Sequence, residues 1–169
     1  VTAIRAAGGT ATFLKADLSS LAEARALADT VLDRWHQLDL LINNAGIGSG
    51  GSNARRELSR DGYELRFAVN YLAGFLLTRQ LLPLLAAGTG GRIVNVASIG
   101  QQAIDFDNVM LEHGYDGRRA YAQSKLAQIM FTFDLAQECD PARVTANCLH
   151  PATYMDTTMV RLGGHAPLS

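Results

Sequence analysis

Short apolar runs alternate with amphipathic stretches along the chain, and no internal repeat, low-complexity tract or linker interrupts the alternation. After the Gly8-Gly9 break, "TATFLKA" at 10–16 reads as a strand. "SSLAEARALADTVLDRW" at 19–35 reads as a helix capped by Ser19 or Ser20, whose hydroxyls suit the first free amides of a helix. "LDLLINNAG" at 38–46 is nearly unbroken apolar chain until its Asn, Asn and Gly. A second helical pattern occupies about 57–86, with a break near 60–62, and "GRIVNVAS" at 91–98 repeats the buried-strand signature. "AYAQSKLAQIMFTFDLAQEC" at 120–139 predicts the next helix and "RVTANCLHP" at 143–151 the last strand. Strands buried on both faces and separated by helices predict a parallel sheet with helices on each side, the doubly wound α/β class. Phe131 and Phe133, near Met130, are assigned to the core, and Trp35 to closing its helix against the sheet.

At 169 residues the chain fits a single domain, 1–169, large enough to bury a core without disulfides or metal. Cys139 and Cys148 are too few for a disulfide framework, and no Cys/His cluster suggests a metal site, so a reducing compartment, the cytoplasm, is expected. A net charge of −1 with interspersed signs gives no footprint for nucleic acid or an anionic membrane. No apolar run approaches the roughly 18 residues of a spanning helix, and the N-terminus lacks the layout of a signal peptide. A small-molecule ligand is therefore expected. The Arg55-Arg56 and Arg118-Arg119 pairs read as solvated faces.

In open parallel sheets, ligands bind beyond the carboxyl ends of the strands. The polar residues that close each apolar run fall there: Asp17, then Asn43 to Gly46, then Ser98, then His150-Pro151. Taken singly, each also fits an ordinary loop start. Tyr121 and Lys125 lie at i and i+4 on one helix face, with Cβ atoms about 5–6 Å apart, in a segment otherwise made of good helix formers. A phenol beside an ammonium suggests proton transfer. No Gly-x-Ser-x-Gly elbow surrounds Ser98, and none of His113, His150 and His165 lies near it in sequence, which argues against a hydrolase.

"NNAG" after a buried strand, the Asn of "FAVN", the Ser closing "IVNVAS" and Tyr-x-x-Ser-Lys opening a helix, in this order, resemble the short-chain dehydrogenase/reductase family over about 10–151. The long spacing between Ser98 and Tyr121 further resembles its retinol-dehydrogenase-like branch, and that insertion is where substrate shape would be read. The resemblance implies a Rossmann-like, three-layer α/β/α fold and an NAD(P)-dependent oxidoreductase acting on a carbonyl or alcohol. In the implied roles Tyr121 is the general acid/base, Lys125 lowers its pKa and holds the nicotinamide ribose, Ser98 bonds the substrate oxygen, and Asn70 completes a proton relay. The implied cofactor residues are Asp17 and Leu18 at the adenine, Asn43, Ala45 and Gly46 at its ribose, and Tyr121, Lys125, Pro151 and Thr153, with Thr157 a further partner, at the nicotinamide. The family also implies a homodimer or homotetramer.

Departures from the pattern carry their own expectations. Pro151-Ala152 stands where the family usually has Pro-Gly. The Gly-rich turn that would cradle a pyrophosphate is missing, together with the first two strands, the C-terminal strand and the residue that separates NAD from NADP. "TATFLKA" then has no inherited neighbour and must pair with the edge of "LDLLINNAG" or remain an orphan. The alternative to an enzyme is a truncated, non-catalytic remnant that acts as an interaction module.

Overall fold

The computed structural model of the chain describes residues 1–51 and 53–152. Its elements are α1 (Thr2–Ala6), α2 (Leu21–Arg34), β1 (Leu40–Asn43), α3 (Leu65–Phe67), a π-helical turn (Ala68–Leu72), α4 (Ala73–Ala87), β2 (Gly91–Val96), α5 (Gly117–Glu138) and β3 (Val144–Leu149). Three helices start at side-chain caps: Ser20 accepts from the Glu23 amide, Glu64 from Phe67 and Asp116 from Arg119. Ser20, not Ser19, is therefore the α2 cap. The pattern seen over 57–86 becomes helical only at Leu65. Residues 57–64 instead form a turn closed by a Leu58–Glu64 bridge, with Ser59 Oγ accepting from the Asp61 and Tyr63 amides.

The three strands form a parallel sheet in the order β1-β2-β3, with Leu41, Ile93 and Ala146 aligned across it. Those residues face α4 and α5. Leu85 of α4 and Phe131 and Leu135 of α5 close over Ile93, Val144 and Ala146, while α2 packs its Ala24 and Ala28 against Leu77 and Leu81 of α4. The parallel α/β class of the sequence reading holds. Of its three layers, the described residues supply the sheet and the helices on one face. The alternate side chains, Leu40, Ile42, Arg92, Thr145, Asn147 and Leu149, are exposed on the other. Burial on both strand faces, as the apolar runs suggest, is thus not realised among these residues.

"TATFLKA" forms no strand. The Arg5 side chain holds the Ala11 carbonyl, the segment lies along α2, and Phe13 is 73% exposed. Without an adjacent ladder, its backbone gains nothing from strand geometry. Trp35 ends α2 at the surface instead of closing on the sheet, and Phe133 is exposed while Phe131 is buried. The run Leu65–Ala87 forms one continuous helix, long and apolar enough by composition to cross a membrane, contrary to the reading that none approaches that length. Its buried leucines pack into the domain core.

Candidate active site

β1 ends on Asn43, which aligns with Asn95 of β2. Asn43 Nδ2 donates to Asn95 Oδ1 at 2.8 Å and to Thr78 Oγ1 at 2.8 Å, Asn95 Nδ2 donates to Thr132 Oγ1, and that hydroxyl donates to the Gln128 carbonyl. This polar ladder stitches both strands to α4 and α5 through the core. Leaving one of its buried members unpaired would cost about 1–3 kcal/mol. It engages the Asn43 side-chain amide inside the fold.

Just above the ladder sits Lys125, 4% exposed, whose Nζ donates to the Val96 carbonyl at 2.8 Å and to Gln128 Oε1 at 3.3 Å. Burial pushes its ammonium down to about 8. Its Nζ lies 6.0 Å from the centroid of the Tyr121 ring, one turn earlier on the same face. A Cβ on Gly100 would stand 3.5 Å from Ser98 Oγ and 3.8 Å from a Tyr121 ring carbon, which brings those two hydroxyl-bearing residues to one spot beyond β2. Ser98 Oγ also accepts the Gly100 amide, and the neighbouring Ile99 amide donates to His150 Nδ1, joining the loops after β2 and β3.

Asn70 enters from the π-helical turn, a local widening of the helix frequent at functional sites. Its Oδ1 accepts the Ile47 amide at 2.8 Å, and its Nδ2 donates to the Ile47 carbonyl and to Ser124 Oγ. The side chain thereby staples the loop after β1 to the helix that carries Tyr121 and Lys125. A Cβ on Gly46 would stand 3.1 Å from Asn70 Oδ1 and 3.7 Å from Lys125 Nζ, so glycine is what lets that loop approach these two side chains.

A second buried cluster, absent from the sequence reading, anchors the surroundings. Arg66 Nη1 lies 3.5 Å from Glu64 Oε1 and donates to Tyr115 Oη at 2.7 Å, while Arg66 Nε donates to the Gly48 carbonyl. Tyr115 Oη in turn donates to Glu64 Oε1, and burial, with the Glu64 charge second, pushes its pKa up to about 12. The only sequence signal was two charges placed two apart at the head of an apolar helix. The insertion is tied down further by Arg56 to the Met110 carbonyl, Gln123 to the Val109 carbonyl and an Arg119–Asp105 ion pair. One member of each arginine pair read as solvated is thus a tether. Leu111 adopts a φ of 47°, uncommon outside glycine, while fully buried. Ile104 and Phe106 of the insertion line a groove of about 430 Å³ with Tyr71, Phe75, Met130 and Phe131, and none of Asn70, Ser98, Tyr121 and Lys125 borders it.

Asp17 accepts the Ser19 amide and pairs with Arg60 at 3.2 Å. Hydrogen bonds from Ser19 hold its carboxyl below the usual range, and the Arg60 charge adds to this. Leu18 packs against the α2–α4 core, Ala45 and Pro151 are exposed, and Thr153 and Thr157 lie outside the described residues.

A family model described as short chain dehydrogenase matches residues 1–165. The chain is 42% identical over 137 residues to retinol dehydrogenase 14 of Homo sapiens and 39% identical over 138 residues to retinol dehydrogenase 13 of Homo sapiens. In each case the match covers 80% of this chain and 40% of the relative, so the chain spans less than half the length of the curated relatives it matches. A metagenomic short-chain oxidoreductase solved in complex with NADP superposes with a TM-score of 0.70 at 28% identity, covering 96% of this chain and 65% of the other. Site, sheet and similarity agree that the chain belongs to the short-chain dehydrogenase family, in its retinol-dehydrogenase-like branch.

Proposed function

We propose that the chain carries the catalytic half of an NAD(P)-dependent oxidoreductase that interconverts a carbonyl and an alcohol, with Tyr121 as general acid/base. The observation that carries this reading is the meeting of Ser98, Tyr121 and Lys125 beyond the carboxyl end of β2, stapled by Asn70 to the loop after β1. A bound nicotinamide would supply or accept the hydride. Tyr121 Oη gives its proton to the carbonyl oxygen, or takes it in the oxidative direction, and Ser98 donates a hydrogen bond to the same oxygen. With a pKa of about 8, Lys125 is mainly cationic at neutral pH, one helical turn from Tyr121. Asn70 holds Ile47 and Ser124 in place, and its relay role would run through that geometry.

The nicotinamide end of a dinucleotide fits these residues. Gly46 packs closely against Asn70 beside Lys125, whose amine would be the group to hold the ribose hydroxyls. The pyrophosphate finds no such fit among the described residues, because α2 begins behind a capping serine with no glycine-rich turn. The named activities of the relatives support an apolar alcohol or aldehyde as substrate. The bare sheet face favours a second reading, an interaction module that assembles as a homodimer or homotetramer. Titration with NADH and NADPH, followed by reduced-nicotinamide fluorescence, tests the first. Saturable micromolar binding by the folded chain supports it, and the tighter ligand names the cofactor. Absence of binding by the folded chain leaves the interaction module.

A further inference from the structure

An ammonium carries three N–H donors and no acceptor, so the acceptors around it decide where its protons point. Two of the three at Lys125 are engaged: Nζ donates to the Val96 carbonyl at the end of β2 at 2.8 Å and to Gln128 Oε1 at 3.3 Å. The first acceptor is main chain and would be there whatever residue stood at 96. Gln128, 3% exposed, is the one side chain among the described residues that accepts from Nζ. Its main chain is anchored too. The Gln128 carbonyl accepts from Thr132 Oγ1, which accepts from Asn95 Nδ2, and Asn95 Oδ1 accepts from Asn43 Nδ2. Gln128 thus joins the polar ladder of the core to the amine above it. The neighbours of Nζ on other elements, Gly46 in the loop after β1 and Val96, have no ionising side chain, and Tyr121 is the titratable residue beside it on α5. Burial alone, with no neighbouring charge, lowers the Lys125 pKa to about 8.

We propose that Gln128 is a positioning residue for Lys125: with the Val96 carbonyl it takes up two ammonium protons and reserves the third for the reaction site. This deepens the oxidoreductase reading and rests on it, because a proton held in reserve serves a ribose hydroxyl or the Tyr121 oxygen. A lysine with one acceptor turns freely about its terminal bonds, whereas two acceptors on a strand and a helix hold it. The neutrality of the second acceptor matters as much as its place. A hydrogen bond from the ammonium favours the charged form, while a carboxylate at 128 would also cancel the charge that the site uses.

The test is a pH titration of the whole chain with ¹³C,¹⁵N-labelled lysine, followed by nuclear magnetic resonance at the carbon next to each amine. The chain has two lysines, so the exposed Lys15 serves as internal reference. Gln128→Glu should raise the Lys125 midpoint by about one unit or more, the effect of an opposite charge within about 4–6 Å. Gln128→Met keeps the length and removes the acceptor, so it should lower the Lys125 midpoint, with Lys15 fixed in both variants. A Lys125 midpoint that stays with Lys15 in the folded variants, or that rises in Gln128→Met, overturns the proposal. Circular dichroism reports the fold, and either variant alone decides. Should neither fold, contacts between the Lys125 ammonium protons and the Gln128 side chain in the wild-type Overhauser spectrum at pH 6 decide: their presence supports the proposal and their absence overturns it. No nucleotide enters the test, so its failure and a failure to bind NADH or NADPH are separate results.

Discussion

Lys125 is enclosed at a cost that the rest of the fold must offset. Its folded pKa of about 8 lies below its ordinary 10.5, so between those values the unfolded chain binds the proton and the folded chain does not. Stability therefore rises with pH across that window, and below it the penalty is fully present. At about 1.4 kcal/mol per unit, the penalty is on the order of 3 kcal/mol. Lys125→Met should be more stable than wild type in urea at pH 7, with the gap closing as the pH approaches 10.5. A variant no more stable than wild type at pH 7 would mean that Lys125 is not penalised by burial. Tyr121→Phe tests a different property of the same helix face: it should abolish turnover with a retinoid-like aldehyde while leaving nucleotide affinity nearly intact. Retained turnover would remove Tyr121 as the acid/base. This pair was legible in sequence because i, i+4 spacing is a local property. The role of Asn43 was not, because its partner Asn95 lies 52 positions away and becomes adjacent only through strand register.

At the level of elements, the insertion before α5 is held by charge in the interior. Arg66 neutralises Glu64, which is 0% exposed, and grips the Gly48 loop and Tyr115 together. Arg66→Met leaves that carboxylate without its cation and should destabilise the chain by about 3–5 kcal/mol in chemical denaturation, with Glu64→Gln in the same chain recovering part of the loss. Additive losses would mean that the two do not act as a pair. Tyr115 has the opposite sign to Lys125. Its folded pKa of about 12 exceeds the ordinary 10.0, so the stability it contributes is present below pH 10 and lost as pH rises toward 12. Tyr115→Phe should flatten that alkaline decline, and equal slopes in the two proteins would count against it. The α2 cap at Ser20 and the burial of Phe131 followed from local pattern, whereas the exposure of Phe133, the start at Leu65 and the fate of "TATFLKA" did not. The last two depend on tertiary partners: the 57–64 turn closes by a bridge, and an extended segment becomes a strand only beside another strand.

For the whole molecule, the exposed sheet face is the dominant physical fact. On the exposed face Leu40 is 46% and Ile42 53% exposed on β1, and Leu149 44% exposed on β3, which leaves apolar side chains at both edges of the sheet among the described residues. Such a surface drives self-association. Ile42→Lys should shift the chain toward monomer in light scattering across a concentration series, and an unchanged mass distribution would remove this face as the cause. The α/β class was readable from alternation of apolar runs and helices, but one-sided burial was not, since a run of Leu and Ile looks the same whether one face or two are covered.

Strand order in the sheet repeats order along the chain. As the polypeptide leaves the ribosome, β2 emerges to find β1 and its helix already made, and β3 finds β2. Each crossover completes a unit that is closed at one side and open at the other. Among the described residues each new strand thus adds at the open edge of the one before it, with no later strand inserted between earlier ones.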